Sequence, residues 1–202
     1  MDKVTIIEIT EHPIEIISKG AGTSYKKINN SWQRVQTCIK NGHLSVTEFA
    51  HINFKIDGIS RSCLAQLTRH RLMSFCVESQ RYVKYNFKDN NWYVMPKAFK
   101  KSNAWTRRYI YEMRNAALSY RQAIEDGIKP EDARFLLPEA TKTNLTCGMN
   151  LREFFNFLNL RLDPHAQWEI RELAEEMFNQ VLNYNNEWKT ILSYWKETCF
   201  NK

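Results

Sequence analysis

Val46-Thr47-Glu48-Phe49-Ala50-His51-Ile52-Asn53-Phe54-Lys55-Ile56 alternates its side chains with period two. Val46, Ala50, Ile52, Phe54 and Ile56 fall on one side, and Thr47, Phe49, His51, Asn53 and Lys55 on the other. Such alternation predicts a half-buried β-strand whose even-numbered face is the core face, with Glu48 as its misfit. Asp57-Gly58 is predicted to end the strand, and Ser60 to cap a helix running to about residue 72. Outward from there, residues 3–10 (KVTIIEIT) are rich in β-branched side chains and read as a second strand. Residues 24–40 carry apolar groups at helical intervals, with Gly42 where a C-terminal glycine belongs. Residues 74–82 are polar with neither period and read as an ordered loop. Residues 92–95 read as a strand stopped by Pro96, and 103–127 as a long helix. Pro130 opens a short helix that stops before Pro138. A strand-like run at 141–147 precedes helices at 150–160, at 163–183 opened by Asp163-Pro164, and at 186–195. No repeat, low-complexity tract or linker interrupts the chain. The expectation is an α+β fold, one domain over residues 1–202, with several long helices and a small, mainly antiparallel sheet.

Composition narrows the function classes. With 202 residues, 43% hydrophobic and 13% aromatic, the chain can bury a core and is not disordered. No window approaches the roughly 18 consecutive apolar residues of a membrane helix, and Met1-Asp2-Lys3-Val4 lacks the pattern of a signal peptide. Cys38, Cys63, Cys76, Cys147 and Cys199 include no CxxC pair, which suits reduced thiols in a cytoplasmic protein. Lys and Arg number 29 against 22 Asp and Glu, a formal charge of +7. That surplus attracts nucleic acid, a membrane surface or phosphorylated small molecules, and charge alone does not choose among them.

The segment Gln66-Leu67-Thr68-Arg69-His70-Arg71-Leu72-Met73-Ser74-Phe75-Cys76-Val77-Glu78-Ser79-Gln80-Arg81-Tyr82 is the most unusual. Three basic side chains stand at a predicted helix end, followed by a polar loop and a further arginine. Gln66 and Arg69, three apart, would share a helix face, while Arg69 and Arg71 would point in different directions and could grip two ligands. Arginine presents a planar fork of donors suited to phosphate and carbonyl groups. Ordinarily such a tripeptide is a solvated basic patch; here Ser79, Gln80 and Arg81 add donors that suit a polar, anionic ligand. Farther on, Arg152, Asn156 and Asn159 are spaced to share one face of a helix whose Phe154, Phe155, Phe157, Leu158 and Leu160 form the core stripe.

Arg69-His70-Arg71, the seven residues 72–78, and Ser79-Gln80-Arg81-Tyr82 resemble the signature of the flavin-dependent thymidylate synthases. Gly42-His43-Leu44-Ser45-Val46 with Glu48, then Asp57-Gly58-Ile59-Ser60-Arg61, are similar to two further segments of that family. So are Ala133-Arg134-Phe135-Leu136-Leu137-Pro138 and the block 150–161, continued by Asp163, His165, Ala166 and Gln167. The motif-bearing region covers about residues 42–173.

The resemblance implies reductive methylation of dUMP to dTMP, with methylenetetrahydrofolate as carbon donor and NADPH as reductant through FAD. It implies that Arg161 pairs with the uracil carbonyl edge and stabilises negative charge there, as the catalytic residue. Gln66, Arg69, Glu78, Ser79, Gln80, Arg81, Arg134 and Arg161 would hold dUMP. Ser45, Arg69, His70, Arg71, Asn150, Arg152, Asn156 and His165 would hold FAD, and no metal is implied. It further implies a homotetramer with sites at subunit interfaces, and neither a membrane nor a nucleic acid polymer as partner. Val77 and Cys76 depart from the family, which has polar residues there; Glu78 is the neighbouring carboxylate that could substitute. Phe49 replaces a histidine, with His51 two residues on along the predicted strand face. Two other readings stay open: a basic nucleic-acid-binding module, and a catalytically inactive FAD-binding relative.

Overall fold

The computed structural model describes residues 3–24, 26, 30–85, 87 and 91–200. β1 (Val4–Ile9) pairs antiparallel with β2 (His51–Ser60), placing Val4 opposite Ile56 and Ile9 opposite Ile52, with a register shift between Ile6 and Glu8. With β3 (Ser74–Val77) and β4 (Lys142–Asn150) they form a four-stranded antiparallel sheet ordered β1-β2-β4-β3. Alternation decides which side is core: Ala50, Ile52, Phe54 and Ile56 are fully buried, and Leu145, Cys147 and Met149 are buried along β4. The α+β class read from the sequence holds.

Several boundaries differ, each for a physical reason. The first part of the alternating run, Leu44–Phe49, is a 3-10 helix, stabilised where Thr47 Oγ1 donates to the Leu44 carbonyl at 2.7 Å. Thr47, not Val46, is therefore the buried residue, and Glu48 is a misfit only on strand geometry, which it does not have. Phe49 and His51 share no strand face either: Phe49 lies in the 3-10 turn and packs so closely on Gly20 that a Cβ there would meet its ring at 2.6 Å. Asp57-Gly58 does not end β2. Gly58 adopts φ +73° and donates its N–H to Asn144 Oδ1 at 2.9 Å, so the strand kinks and continues to Ser60.

Ser60 does cap α3 (Arg61–Leu67), accepting from the Cys63 N–H at 2.9 Å. The helix stops at Leu67, however, so Gln66 and Arg69 share no helix face and Arg69-His70-Arg71 forms the turn that follows. Part of the stretch read as a loop is β3, a short strand whose pairing partner lies far away in sequence.

Among the helices, α1 (Pro13–Thr23) was not legible from periodicity. The helix read at 24–40 begins instead behind Ser31, which caps α2 (Trp32–Lys40) by accepting from the Arg34 N–H; residues 25 and 27–29 lie outside those described. Gly42 at φ +73° closes α2, as its position implied. Of residues 92–95, Tyr93 forms a single bridge to Thr141. A short α4 (Lys97–Lys100) leads into α5 (Asn103–Glu125), followed by α6 (Pro130–Ala133). α7 (Leu151–Arg161) starts behind Asn150, whose Oδ1 accepts from the Glu153 N–H. α8 (Trp168–Leu182) opens at Gln167 rather than at Asp163, whose carboxylate caps the His165 N–H at 2.7 Å in a separate turn. α9 (Asn186–Thr198) closes the described chain.

The chain partitions into two compact units, residues 1–56, 67–75 and 146–202, and residues 57–66 and 76–145. In the first, α8 packs on β1, α7 and α9, and buries Leu173, Met177 and Val181. In the second, α5 places Met113 and Ala117 against Trp92 and Tyr93, while Tyr120 and Ala123 meet Ala133. Among the described residues, no helix is long and apolar enough to cross a membrane.

Candidate active site

α7 organises the first unit's site. Its Phe154, Phe155, Phe157 and Leu158 are buried, which leaves Arg152, Asn156 and Asn159 together on the exposed face. Glu153 breaks the pattern as a carboxylate only 2% exposed. Burying such a group is costly unless it is bonded. His70 Nδ1 meets its Oε1 at 3.0 Å, and Asn156 Nδ2 donates to its Oε2 at 3.1 Å.

His70 is itself only 4% exposed and stands edge-on to Phe157, with ring centroids 5.1 Å apart. Arg161 Nε donates to His70 Nε2 at 3.0 Å. Arginine has no acceptor, so Nε2 must carry a lone pair, and the ring proton sits on Nδ1, donating to Glu153. Burial pushes the His70 pKa below its ordinary value. The bond to Glu153 opposes that shift, and the Arg161 charge reinforces it, so the imidazole is neutral. The result is a directed chain from Arg161 through His70 to Glu153, closed by Asn156.

Two cavities open on this chain. One, of about 550 Å³, is bordered by Arg69, Arg71, Leu160 and Arg161, with His70 and Glu153 behind them. Arg69 and Arg71 both border this cavity. The other, of about 980 Å³, sets Arg152, Asn156 and Asn159 against Ile39, Phe155 and Trp195. Leu72, Glu153 and Asn156 border both. At the larger cavity Arg152 is paired with Glu48 at 2.6 Å, which explains the acidic residue in the run before β2.

The second unit gathers its own set. Arg81 Nε pairs with Glu131 at 3.1 Å, and Arg134 Nε donates to the Glu131 carbonyl at 2.9 Å. Ser79 Oγ accepts from the Arg81 N–H, and Gln80 Nε2 donates to Tyr85 Oη at 3.2 Å. Glu78 is engaged by Asn144, whose Nδ2 donates to its carboxylate at 2.6 Å, while Val77 ends β3. Gln66 sits in the last turn of α3. Ser45, Asn150 and His165 border neither cavity: Ser45 is on the 3-10 turn, Asn150 caps α7, and His165 is a 98% exposed side chain bonded to Asp163.

Sequence reasoning missed Glu153 as a site residue. Three residues after an asparagine cap it has the position of a capping-box acid, which hides it. Its one local signal is the spacing of three to Asn156. It also missed the contribution of α2 and α9 to the site, whose Gln36, Lys40, Tyr194 and Thr198 wall the larger cavity from opposite ends of the chain.

Fold and site together describe an α+β protein that gathers guanidinium, imidazole and amide groups around two cavities. Comparison with known proteins gives this class its family. A model described as Thymidylate synthase complementing protein matches residues 5–184. A flavin-dependent thymidylate synthase of Pyrococcus horikoshii is 37% identical over 208 residues, covering 97% of this chain and 85% of the relative. One of Geobacter sulfurreducens is 44% identical over 142 residues, covering 69% and 60%. Among solved structures, the Helicobacter pylori flavin-dependent thymidylate synthase complexed with FAD and dUMP superposes with a TM-score of 0.73 at 26% identity, covering 88% of this chain and 93% of that one. The chain belongs to the flavin-dependent thymidylate synthase family, as its motifs implied, and membership displaces the reading as a nucleic-acid-binding module.

Proposed function

We propose that this protein reductively methylates dUMP to dTMP, with methylenetetrahydrofolate as carbon donor, NADPH as reductant and FAD as bound cofactor. The observation that carries the reading is the buried Glu153–His70–Arg161 chain opening on two cavities that share Asn156. The larger cavity suits a flavin nucleotide by its chemistry. Ile39, Phe155 and Trp195 give it an apolar wall, Asn156 and Asn159 offer amides to the polar edge of a ring system, and Arg152 offers a fork to phosphate. When bound, FAD supplies hydride transfer.

The residues of this chain bind, orient and polarise. Arg161 would present its guanidinium to the pyrimidine carbonyl edge and stabilise negative charge there, a role in which fixed orientation does most of the work. Arg81 and Arg134 would take nucleotide phosphate, with Ser79 as a positioning hydroxyl. Ser45, Asn150 and His165, outside both cavities of one chain, would act where subunits of a homotetramer meet and separate segments come from different copies.

Two measurements test the reading. The assembled protein should take up FAD and develop flavin absorption bands. It should also release tritium from ring-labelled dUMP in a manner dependent on NADPH and methylenetetrahydrofolate. Flavin uptake without tritium release would identify an inert relative, and uptake of neither ligand would end the proposal.

A further inference from the structure

We propose that Glu153 is a positioning residue for Arg161 and acts through His70: its buried carboxylate holds the imidazole as the Nδ1–H tautomer, which keeps Nε2 as the acceptor that orients the guanidinium. The inference rests on the role proposed above for Arg161. Three observations support it.

The first is direction. Arg161 Nε can only donate, and it lies 3.0 Å from His70 Nε2. With the proton on Nε2, two N–H groups would oppose each other, and a bare Nδ1 would face the Glu153 oxygen 3.0 Å away. The carboxylate therefore selects the tautomer, as a carboxylate does when it orients a histidine in other polar chains.

The second is enclosure. The side chains of His70 and Glu153 are 3% and 2% exposed, so bulk water cannot substitute for the missing partner. Asn156 Nδ2 reaches both carboxylate oxygens, at 3.3 and 3.1 Å, and Phe157 flanks the ring, so the carboxylate and the imidazole each have one orientation.

The third is economy of contacts. Both ring nitrogens of His70 are bonded within the protein, so the histidine serves the site through Arg161 rather than as a donor to ligand. The charged groups around it are Glu153 and Arg161 from α7, and Arg69 and Arg71 from its own turn.

The test compares wild-type holoenzyme with Glu153→Leu and Glu153→Gln. Leucine removes the acceptor while remaining suited to a buried site; glutamine keeps an oxygen that can accept from Nδ1–H. Imidazole nitrogen NMR, with His70 assigned against a His70→Gln sample, reports the tautomer directly. Wild type should show Nδ1–H, the leucine variant a mixture with Nε2–H, and the glutamine variant the wild-type pattern. Tritium release should fall by about 10–100-fold in the leucine variant, the usual loss when an orienting partner is removed, and recover substantially in the glutamine variant. FAD uptake should survive in both.

An Nε2–H tautomer in wild type overturns the proposal whatever the variants do. So does a leucine variant that keeps wild-type turnover, or a glutamine variant that recovers nothing. Should wild type bind no FAD and turn over no dUMP, it is the functional reading that fails, and the His70 spectrum still decides whether Glu153 sets the tautomer.

Discussion

Truncating Arg161 to alanine should separate chemistry from cofactor binding. Its Nε donates at 3.0 Å to the Nε2 of a histidine that is only 4% exposed. Removing the guanidinium leaves a buried acceptor without that donor, which costs about 1–3 kcal/mol of stability. For a chain of this size each kcal/mol corresponds to about 2–4 °C in Tm, so the variant should still fold. The larger loss is in turnover. A fixed donor aimed at developing negative charge contributes about 10²–10³ in kcat, or roughly 3–4 kcal/mol. Arg161→Ala should therefore lose turnover by that factor while FAD uptake survives, because Arg152, Asn156 and Asn159 remain at the larger cavity. Arg161→Lys should recover only part, since an ammonium has no planar fork and cannot hold the pyrimidine edge and His70 in one geometry. The assays are tritium release from ring-labelled dUMP and flavin absorbance titration on the same preparation. An Arg161→Ala enzyme with near wild-type turnover would refute both the role and its electrostatic basis.

Stability should depend on pH through His70. Burial depresses its pKa below the ordinary 6.5, so as pH falls the unfolded chain binds the proton first. This contribution is fully retained above pH 6.5 and declines below it; urea midpoints on either side should differ, and less so in His70→Gln. Equal pH dependence in the two proteins would refute it. Burial also pushes the Cys147 thiol up to about 12, whereas Cys76 is exposed. Iodoacetamide at neutral pH should modify Cys76 first and reach Cys147 only on unfolding, as read by peptide mass mapping. Phe155 is 1% exposed and stacks on Trp195 at 5.0 Å and 7°, so Phe155→Ala should cost about 3–5 kcal/mol in urea unfolding. A loss no greater than the roughly 0.5–1.5 kcal/mol of stacking alone would contradict the packing account.

How much was legible varies by element. β1, the buried half of β2, α5, α7 and α9 follow from local rules, because period and caps are written within a few residues: Ser60 caps its helix, and Gly42 takes positive φ after its own. The opening of α8 was misjudged because Asp163 and Gln167 are both competent caps, and Asp163 is instead bonded within its own turn to His165. β3 was illegible because four residues at a sheet edge owe their extended conformation to β4. Arg69, His70, Arg71, Arg152, Asn156 and Arg161 were picked out by motif, yet the bonds that join His70 to Glu153 and Arg161 were not.

Sequence alone determined the α+β class, the family and the inventory of guanidinium and amide groups, since these depend on periodicity, capping and motifs that local order preserves. Only the folded chain decided that His70 turns inward while its two arginine neighbours border a cavity. The same holds for Glu153, which reaches across 83 positions to select the imidazole tautomer. Those choices depend on which side chains burial forces together, and burial is a property of the packed molecule.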